Sequence, residues 1–213
     1  RVFFINSGIR FYRDGKSNHN SMLIHVSRFV AVQAKVKKQV KDYIKKIQET
    51  LQDSTKPSAA KSIENEFIDL WNNQVSKNIN NNLNPENEKI NFTEIWKFIK
   101  RIILDEEKLD VVLINSKSAD MLDYEKKKDG WNVIVIGGAA ISRGLTLEGL
   151  NVSYFLRIAK IPVADTLTQM GRWFGYRQNY EDIFKVYLPK KLHMLFRQFT
   201  YAMEFARERF EVM

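Results

Sequence analysis

The sequence predicts one three-layer α/β domain with a mainly parallel sheet, spanning residues 1–213. Five short segments are largely apolar rather than alternating, which is typical of strands covered on both faces. Segments with helical periodicity separate them, and this alternation favours parallel pairing. A chain of 213 residues with 44% apolar residues can bury one good core but is small for two. The predicted strands are residues 21–26, 111–114, 133–136, 152–156 and 183–187.

Helices are predicted between these strands. The first runs from Phe29 to Leu51, because its apolar residues recur three or four positions apart. Its opposite face carries six lysines against one aspartate, Asp42, within residues 35–46. Such a stripe could follow a phosphate backbone, but solvated lysine faces are about as common on helices. The other predicted helices are residues 63–79, 91–103, 119–127, 163–173 and 192–210, the last with a core face and a solvated face.

Residues 54–106 are predicted to be a helical insertion, since the composition shifts there to Asn, Lys and Ser. Asn91 followed by Glu94 resembles a capping box and predicts a helix start. Trp71 and Trp96 fit the apolar periodicity, so we expect both to be buried. Asp105, which follows an apolar run, is interpreted as a helix terminus.

The composition bounds the partners and the compartment. A net charge of +9 favours a polyanionic partner, with nucleic acid ahead of an acidic membrane surface. The absence of cysteine excludes disulfides, thiolate metal sites and a cysteine nucleophile. Residues 133–141 are the longest nearly unbroken apolar run, far short of the roughly 20 residues that cross a bilayer. We therefore expect a cytoplasmic protein without a membrane partner. Because the chain opens at Arg1 rather than a methionine, and residues 2–5 already look strand-like, we interpret it as a fragment of something longer.

Two segments that follow predicted strands carry candidate chemistry, since ligands of open α/β sheets bind at the carboxyl ends of strands. In the first, Gly137-Gly138 lets another backbone or a phosphate approach closely, and Arg143 follows on a loop. A tight turn with a surface arginine would explain the same pattern. In the second, Arg172 and Arg177 flank an aromatic cluster that could hold them rigidly for bidentate phosphate binding. The alternative is an ordinary core with arginines at its rim.

Taken together, the two segments resemble motifs five and six of superfamily-two helicases in order and spacing. The resemblance rests on three segments, which are Ser142-Arg143-Gly144, the strand at residues 152–156, and a helix that bears Gln169 and Gly171-Arg172. His25-Val26-Ser27-Arg28 sits where that family has motif four. The runs SRGLTLEGL and QMGRWFGYR look more closely like the Z1 (Z-one) domain, a proposed endonuclease domain attached to superfamily-two helicase regions.

The resemblance implies a RecA-like second lobe that closes over ATP held by a preceding lobe. Arg172 matches the motif-six arginine that reaches the terminal phosphates. Gly175 occupies the place of the second arginine, so Arg177 is its nearest counterpart. Thr146 stands where an acidic residue usually touches ribose. The implied ATP-binding residues are Gly144, Thr146, Gln169 and Gly171, and the implied nucleic-acid-binding residues are Ser27, Arg28, Gly137, Gly138, Ser142 and Arg143.

The implied cofactors are ATP and Mg²⁺, bound mainly by the preceding lobe. The phosphate-binding loop has no match here, because Gly15-Lys16-Ser17 imitates only its end and Arg10 occupies the position that requires glycine. We therefore expect this chain alone to neither bind ATP tightly nor hydrolyse it. The partners that the resemblance implies are the preceding lobe, nucleic acid with DNA ahead of RNA, and a nuclease in a restriction or defence system.

Two other functions stay open. A metal-dependent endonuclease would need clustered carboxylates with a lysine, and Glu106-Glu107-Lys108 near Asp105 offers such a triplet. A non-catalytic nucleic-acid-binding module would use the positive charge and exposed aromatic residues. The three histidines show no metal-ligand spacing with acidic partners, so no metal site is predicted.

Overall fold

Five parallel strands in the order β2-β3-β1-β4-β5 form the sheet of the computed structural model. The structure describes residues 1–81, 90–115, 122–138, 141, 146–156, 169, 171 and 179–211. Its strands are β1 (Asn20–His25), β2 (Leu109–Ile114), β3 (Asn132–Gly137), β4 (Leu150–Phe155) and β5 (Lys185–Tyr187). Its α-helices are α1 (Val2–Asp14), α2 (Val30–Gln52), α3 (Pro57–Leu70), α4 (Ser76–Asn81), α5 (Phe92–Leu104) and α6 (Lys190–Glu211).

Both faces of the sheet are covered, which confirms the predicted three-layer α/β class. Along β3, Ile134 and Ile136 pack in one core with α1, α2, α3 and α5. Val133 and Val135 point the other way, into a second core that includes Trp131 and the first turn of α6. A parallel strand in the middle of such a sheet has no solvent-facing side, so it is apolar at every position.

The segment at residues 2–5, which looked strand-like, is helical, so that interpretation was wrong. Phe3, Phe4 and Ile5 are all buried in α1, and Ile9 follows them one turn later. The helix is wedged between the sheet and α5. Because a helix enclosed on two sides is apolar around most of its circumference, its amino end lacks a one-sided helical pattern.

Between β1 and β2 the chain forms helices that share the first core. The π-helical turn Trp71–Val75 joins α3 to α4, and both Trp71 and Trp96 are buried, as predicted. The capping box at Asn91 and Glu94 begins α5, and Asp105 is its C-cap. The assignment of residues 54–106 as an insertion stays a prediction.

The remaining helical predictions have mixed outcomes. Residues 119–127 contain a 3₁₀-helix at Tyr124–Lys127. For the helix at residues 163–173, only Gln169 and Gly171 are described, and both are helical. In α6 the predicted core face holds for Phe196 and Phe199 but is wrong for Phe205, which is 58% exposed. The first turns of α6 lie on the sheet, whereas the later turns extend past the described core.

A cluster of buried asparagines joins the amino ends of three neighbouring strands. Asn20 of β1 donates from Nδ2 to Asn132 Oδ1 of β3 at 3.0 Å. Its own Oδ1 accepts from Asn151 Nδ2 of β4 at 3.5 Å. Asn151 is an extra residue in β4, because Ser21 pairs with Leu150 and the next pair joins Met22 to Val152. This bulge turns the Asn151 amide towards the cluster.

Arg10 of α1 fastens the helix to this cluster. Its Nη1 donates to Asn20 Oδ1 at 2.7 Å and to the His19 carbonyl at 2.6 Å. Its guanidinium also lies 4.4 Å from the centre of the Tyr180 ring. Burial lowers the pKa of Arg10 from its ordinary value, and the nearby Tyr180 partly offsets this shift.

None of the described helices combines the length and the apolar character that a membrane span needs.

Gly149 and Gly15 both have a left-handed backbone, but only at Gly149 would an added side chain also clash with a neighbour. Comparing the two substitutions therefore distinguishes the cost of the clash from the cost of backbone strain. Gly149 has φ +61, and a Cβ there would lie 1.8 Å from the His19 carbonyl oxygen. Gly15 has φ +64 and an added Cβ would meet nothing within 4 Å. We expect Gly15→Ala to lower the free energy of unfolding by about 1 kcal/mol and Gly149→Ala by at least about 3 kcal/mol. Urea unfolding measures both, and equal losses would contradict the clash at Gly149.

Candidate functional site

Four strands of the sheet end at the same level. In the register of the sheet, Gly137 at the end of β3 pairs with His25 of β1 and with Ile114 of β2, and His25 pairs with Phe155 of β4. The segments that leave these strands therefore start side by side at one edge. We call this edge the carboxyl rim, and it comprises residues 26–29, 115, 138 and 156.

The loop after β1 is held to the carboxyl rim by its backbone. The Val26 amide donates to the Gly137 carbonyl at 2.8 Å, and the Leu156 amide donates to the His25 carbonyl at 2.9 Å. The loop then turns into α2, where Ser27 Oγ accepts from the Phe29 amide at 3.3 Å. As a result, the two predicted motif-four residues, Ser27 and Arg28, lie at the rim.

A buried glutamine that the sequence analysis missed ties two loops of the rim together. Gln33 is 2% exposed and lies in the first turn of α2. Its Nε2 donates to the Ser27 carbonyl at 2.8 Å, and its Oε1 accepts from Asn115 Nδ2, just after β2, at 2.9 Å. One sequence signal was present, because Gln33 lies four residues after Phe29 and three before Val36, beside the apolar stripe of the helix.

The two rim glycines are required by their protein neighbours. A Cβ at Gly137 would lie 2.5 Å from the Ile114 carbonyl oxygen. A Cβ at Gly138 would lie 2.9 Å from both the Ser27 carbonyl oxygen and Gln33 Nε2. The sequence analysis expected either another backbone or a phosphate to approach this pair closely, and the structure contains the close approach of another backbone. The glycines thus let the ends of β1, β2 and β3 pack against one another.

The other predicted site residues divide into two groups. Thr146 is exposed ahead of β4, and Gly171 and Gln169 are half-buried in a helical segment. No atom of the described residues lies within 4 Å of a Cβ built at Gly171, so packing against them does not require glycine there. The predicted residues that lie outside the described part of the chain are Ser142, Arg143, Gly144, Arg172 and Arg177.

Positive charge continues from the rim along α2. Arg28 is exposed with its guanidinium 5.3 Å from the centre of the Phe29 ring. Two lysines of the predicted stripe form ion pairs one turn ahead, Lys38 with Asp42 at 2.6 Å and Lys45 with Glu49 at 3.8 Å. Because these pairs are exposed, each contributes little to stability, and the helix face stays hydrated and basic.

Of the three carboxylates around the end of α5, Asp105 makes a local contact and the two glutamates are exposed. Asp105 Oδ1 accepts from the Lys108 amide at 3.1 Å, and Lys108 Nζ donates to the Asp129 carbonyl at 3.2 Å. Glu106 and Glu107 are exposed on the turn between α5 and β2. In the described ranges, no three His, Asp or Glu side chains are placed to hold a metal ion.

Comparison with known proteins identifies one family. The family model described as the Z1 domain matches residues 1–213. No curated protein and no solved structure matches the chain.

The loss of the Gln33 amide tests how the rim is held. In Gln33→Ala, the Ser27 carbonyl and the Asn115 amide each lose a partner, so we expect the free energy of unfolding to fall by about 2 kcal/mol. Gln48→Ala on the same helix is the matched control, since Gln48 makes one part-buried hydrogen bond, to the Ile103 carbonyl at 2.7 Å. Its expected loss is about 1 kcal/mol. Urea unfolding compares the two variants, and a smaller loss for Gln33→Ala than for the control would refute the bridging role.

Proposed function

Because the chain belongs to the Z1 domain family, we propose that it is the second motor lobe of a superfamily-two helicase-type ATPase that acts on nucleic acid. The observation that carries the proposal is the meeting of four strand ends at the carboxyl rim. Ligands of open α/β sheets bind outside the carboxyl ends of the strands. There the β1 loop lies beside the Gly137-Gly138 turn, and Ser142, Arg143 and Gly144 follow in the chain.

Nucleic acid, with DNA ahead of RNA, would lie along this rim. Support comes from the exposed Arg28 at the rim and from the net charge of +9, because phosphate contacts supply most of the sequence-independent affinity for nucleic acid. The proposed nucleic-acid contacts are Ser27, Arg28, Gly137, Gly138, Ser142 and Arg143.

The donor groups of the described rim suit phosphate oxygens and do not suit a metal ion. The Arg28 guanidinium is an exposed donor at the rim, whereas no described group of three His, Asp or Glu side chains could ligate Mg²⁺. We therefore assign the Mg²⁺ ligands and the phosphate-binding loop to a preceding lobe. ATP, when bound there, supplies the phosphoryl group and the free energy. From this chain, Gly144, Thr146, Gln169 and Gly171 would complete the pocket.

Arg172 would act on the reaction itself. A guanidinium group held by aromatic neighbours stabilises the negative charge that builds up on the transferred phosphoryl oxygens. Arg177 is assigned the second arginine position of the same pocket. Both residues act only when the two lobes close, so ATP hydrolysis would be coupled to lobe movement.

In the proposed motor, Gln33 would connect the residues that bind nucleic acid with the residues that bind ATP. Its amide bonds to Ser27, on the nucleic-acid side, and packs against Gly138, from which the chain runs towards the ATP-binding residues. A shift of the glycine turn would therefore move the β1 loop as well. In the proposed motor, Gln33 is a positioning residue, since it would touch neither ligand.

Of the alternatives, the metal-dependent nuclease gains no specific support from the described carboxylates. A non-catalytic nucleic-acid-binding module differs from the motor in one measurable way, because only the motor hydrolyses ATP.

Replacing Arg172 tests the motor directly. In the protein that joins this chain to a phosphate-binding lobe, Arg172→Ala should lower nucleic-acid-stimulated ATP turnover by about 10³-fold, while nucleic-acid affinity changes by less than about threefold. Arg197→Ala is the control, since Arg197 is an exposed arginine of α6 that donates to the Tyr201 hydroxyl one turn away at 3.4 Å. Turnover that survives Arg172→Ala would refute the role of Arg172 in stabilising the transferred phosphoryl group. Nucleic-acid binding without any ATP turnover would favour the non-catalytic binding module.

The chain by itself gives a second test. We expect purified residues 1–213 to show no ATP turnover above background, with or without nucleic acid, because the phosphate-binding loop has no match in the sequence. Phosphate release measures this. Turnover that exceeds background and vanishes on Arg172→Ala would place a complete site within this chain.

A further inference from the structure

At the start of α2 the fold leaves an aromatic ring and two aliphatic side chains in solvent. Phe29 is 60% exposed, Val32 is 43% exposed and Val30 is 38% exposed. Phe29 and Val32 are three residues apart, so they share one flank of the helix. Arg28 places its guanidinium 5.3 Å from the centre of the Phe29 ring. We call Arg28, Phe29 and Val32 the α2 platform.

Hydrogen bonds hold the backbone of the platform in place, so the exposure of Phe29 does not result from a loose loop. Ser27 Oγ accepts from the Phe29 amide, and the Phe29 carbonyl accepts from the amides of Val32 and Gln33 at 3.1 and 3.2 Å. The buried Gln33 side chain bonds back to the Ser27 carbonyl. The ring is therefore presented from a rigid backbone, which lowers the entropy cost of using it for binding.

We propose that the α2 platform stacks a base of an unpaired nucleic-acid strand at the carboxyl rim. This inference rests on the proposed function and refines its substrate class. An exposed ring with a guanidinium beside it suits a base flanked by phosphate, because stacking and charge are then satisfied together. Within a duplex the faces of the bases are covered by the neighbouring pairs, so the platform selects single strands over the interior of duplexes.

Charge complementarity favours nucleic acid over an apolar protein surface as the occupant. Lys35 is exposed three residues after Val32, on the adjoining flank of the same helix, and Arg28 lies beside the ring. A strand stacked on Phe29 would have its phosphates near these two cations. A partner lobe that covered Phe29 with apolar side chains would have to desolvate Arg28 as well.

The test measures binding of a fluorescent oligothymidine and of a blunt duplex to the two-lobe protein without ATP. We expect Phe29→Ala to weaken oligothymidine binding about tenfold or more and to leave duplex binding unchanged. Phe29→Tyr should restore the affinity, because the ring is kept. The slope of affinity against salt concentration should stay constant in Phe29→Ala and become shallower in Arg28→Ala.

Phe205→Ala is the matched control. Phe205 is 58% exposed on α6 and has the Arg209 guanidinium 4.7 Å from its ring centre, so it reproduces the chemistry of the platform on another element. We expect this variant to bind oligothymidine like the parent protein. A thermal melt of each variant verifies folding, and because both rings are exposed we expect shifts of only a few degrees.

The outcomes separate this inference from the proposed function. If the parent protein binds oligothymidine and Phe29→Ala binds equally well, the stacking platform is refuted while the motor stands. A loss of ATP turnover in Phe29→Ala with unchanged oligonucleotide affinity would also refute it and would assign the platform to contact between lobes. If the parent protein binds neither nucleic acid, the proposed function itself fails.

Discussion

A parallel sheet that is buried on both faces constrains everything else in this molecule. In the middle of β1 and β3, the side chains from Met22 to Ile24 and from Val133 to Ile136 enter one of two apolar cores, so the polar groups of these strands lie where the strands begin and end. The amino ends carry the asparagine cluster with Arg10, and the carboxyl ends carry Gln33 with Asn115. Asn20, Asn132, Asn151 and Gln33 therefore lie at the two edges of the sheet, whereas Ser153 is a buried hydroxyl within β4.

The two edges use their polar groups differently. At the amino edge, Arg10 donates to carbonyl and amide oxygens and packs on the Tyr180 ring, so it anchors α1 to the sheet. At the carboxyl edge, Gln33 bonds inward and leaves Arg28 and Phe29 outside. The carboxyl edge thus presents a cation and a ring to solvent, whereas the amino edge uses its cation internally. This contrast is why the proposed contacts lie at the carboxyl rim.

The proposed motor would use the rim as a mechanical link. Gly137 and Gly138 have no room for a side chain, since the ends of β1 and β2 press against them. Close-packed elements of this kind transmit a displacement rather than absorb it, because packed interiors deform little. A change at the segment that follows the glycine turn would reach Ser27 through Gln33, and from there the platform at the start of α2.

The sequence by itself determined the fold class and most of the elements, because continuous apolar strands and a one-sided helical period follow directly from burial on two faces or one. Only the tertiary structure decided that residues 2–5 are helical, since α1 is apolar on the sides facing both the sheet and α5. It also decided the roles of Gln33, Asn20 and Asn151, which depend on partners as many as 145 residues away in the chain. Local patterns encode which face of an element is buried, whereas hydrogen bonds between distant segments exist only after the strands have been placed in register.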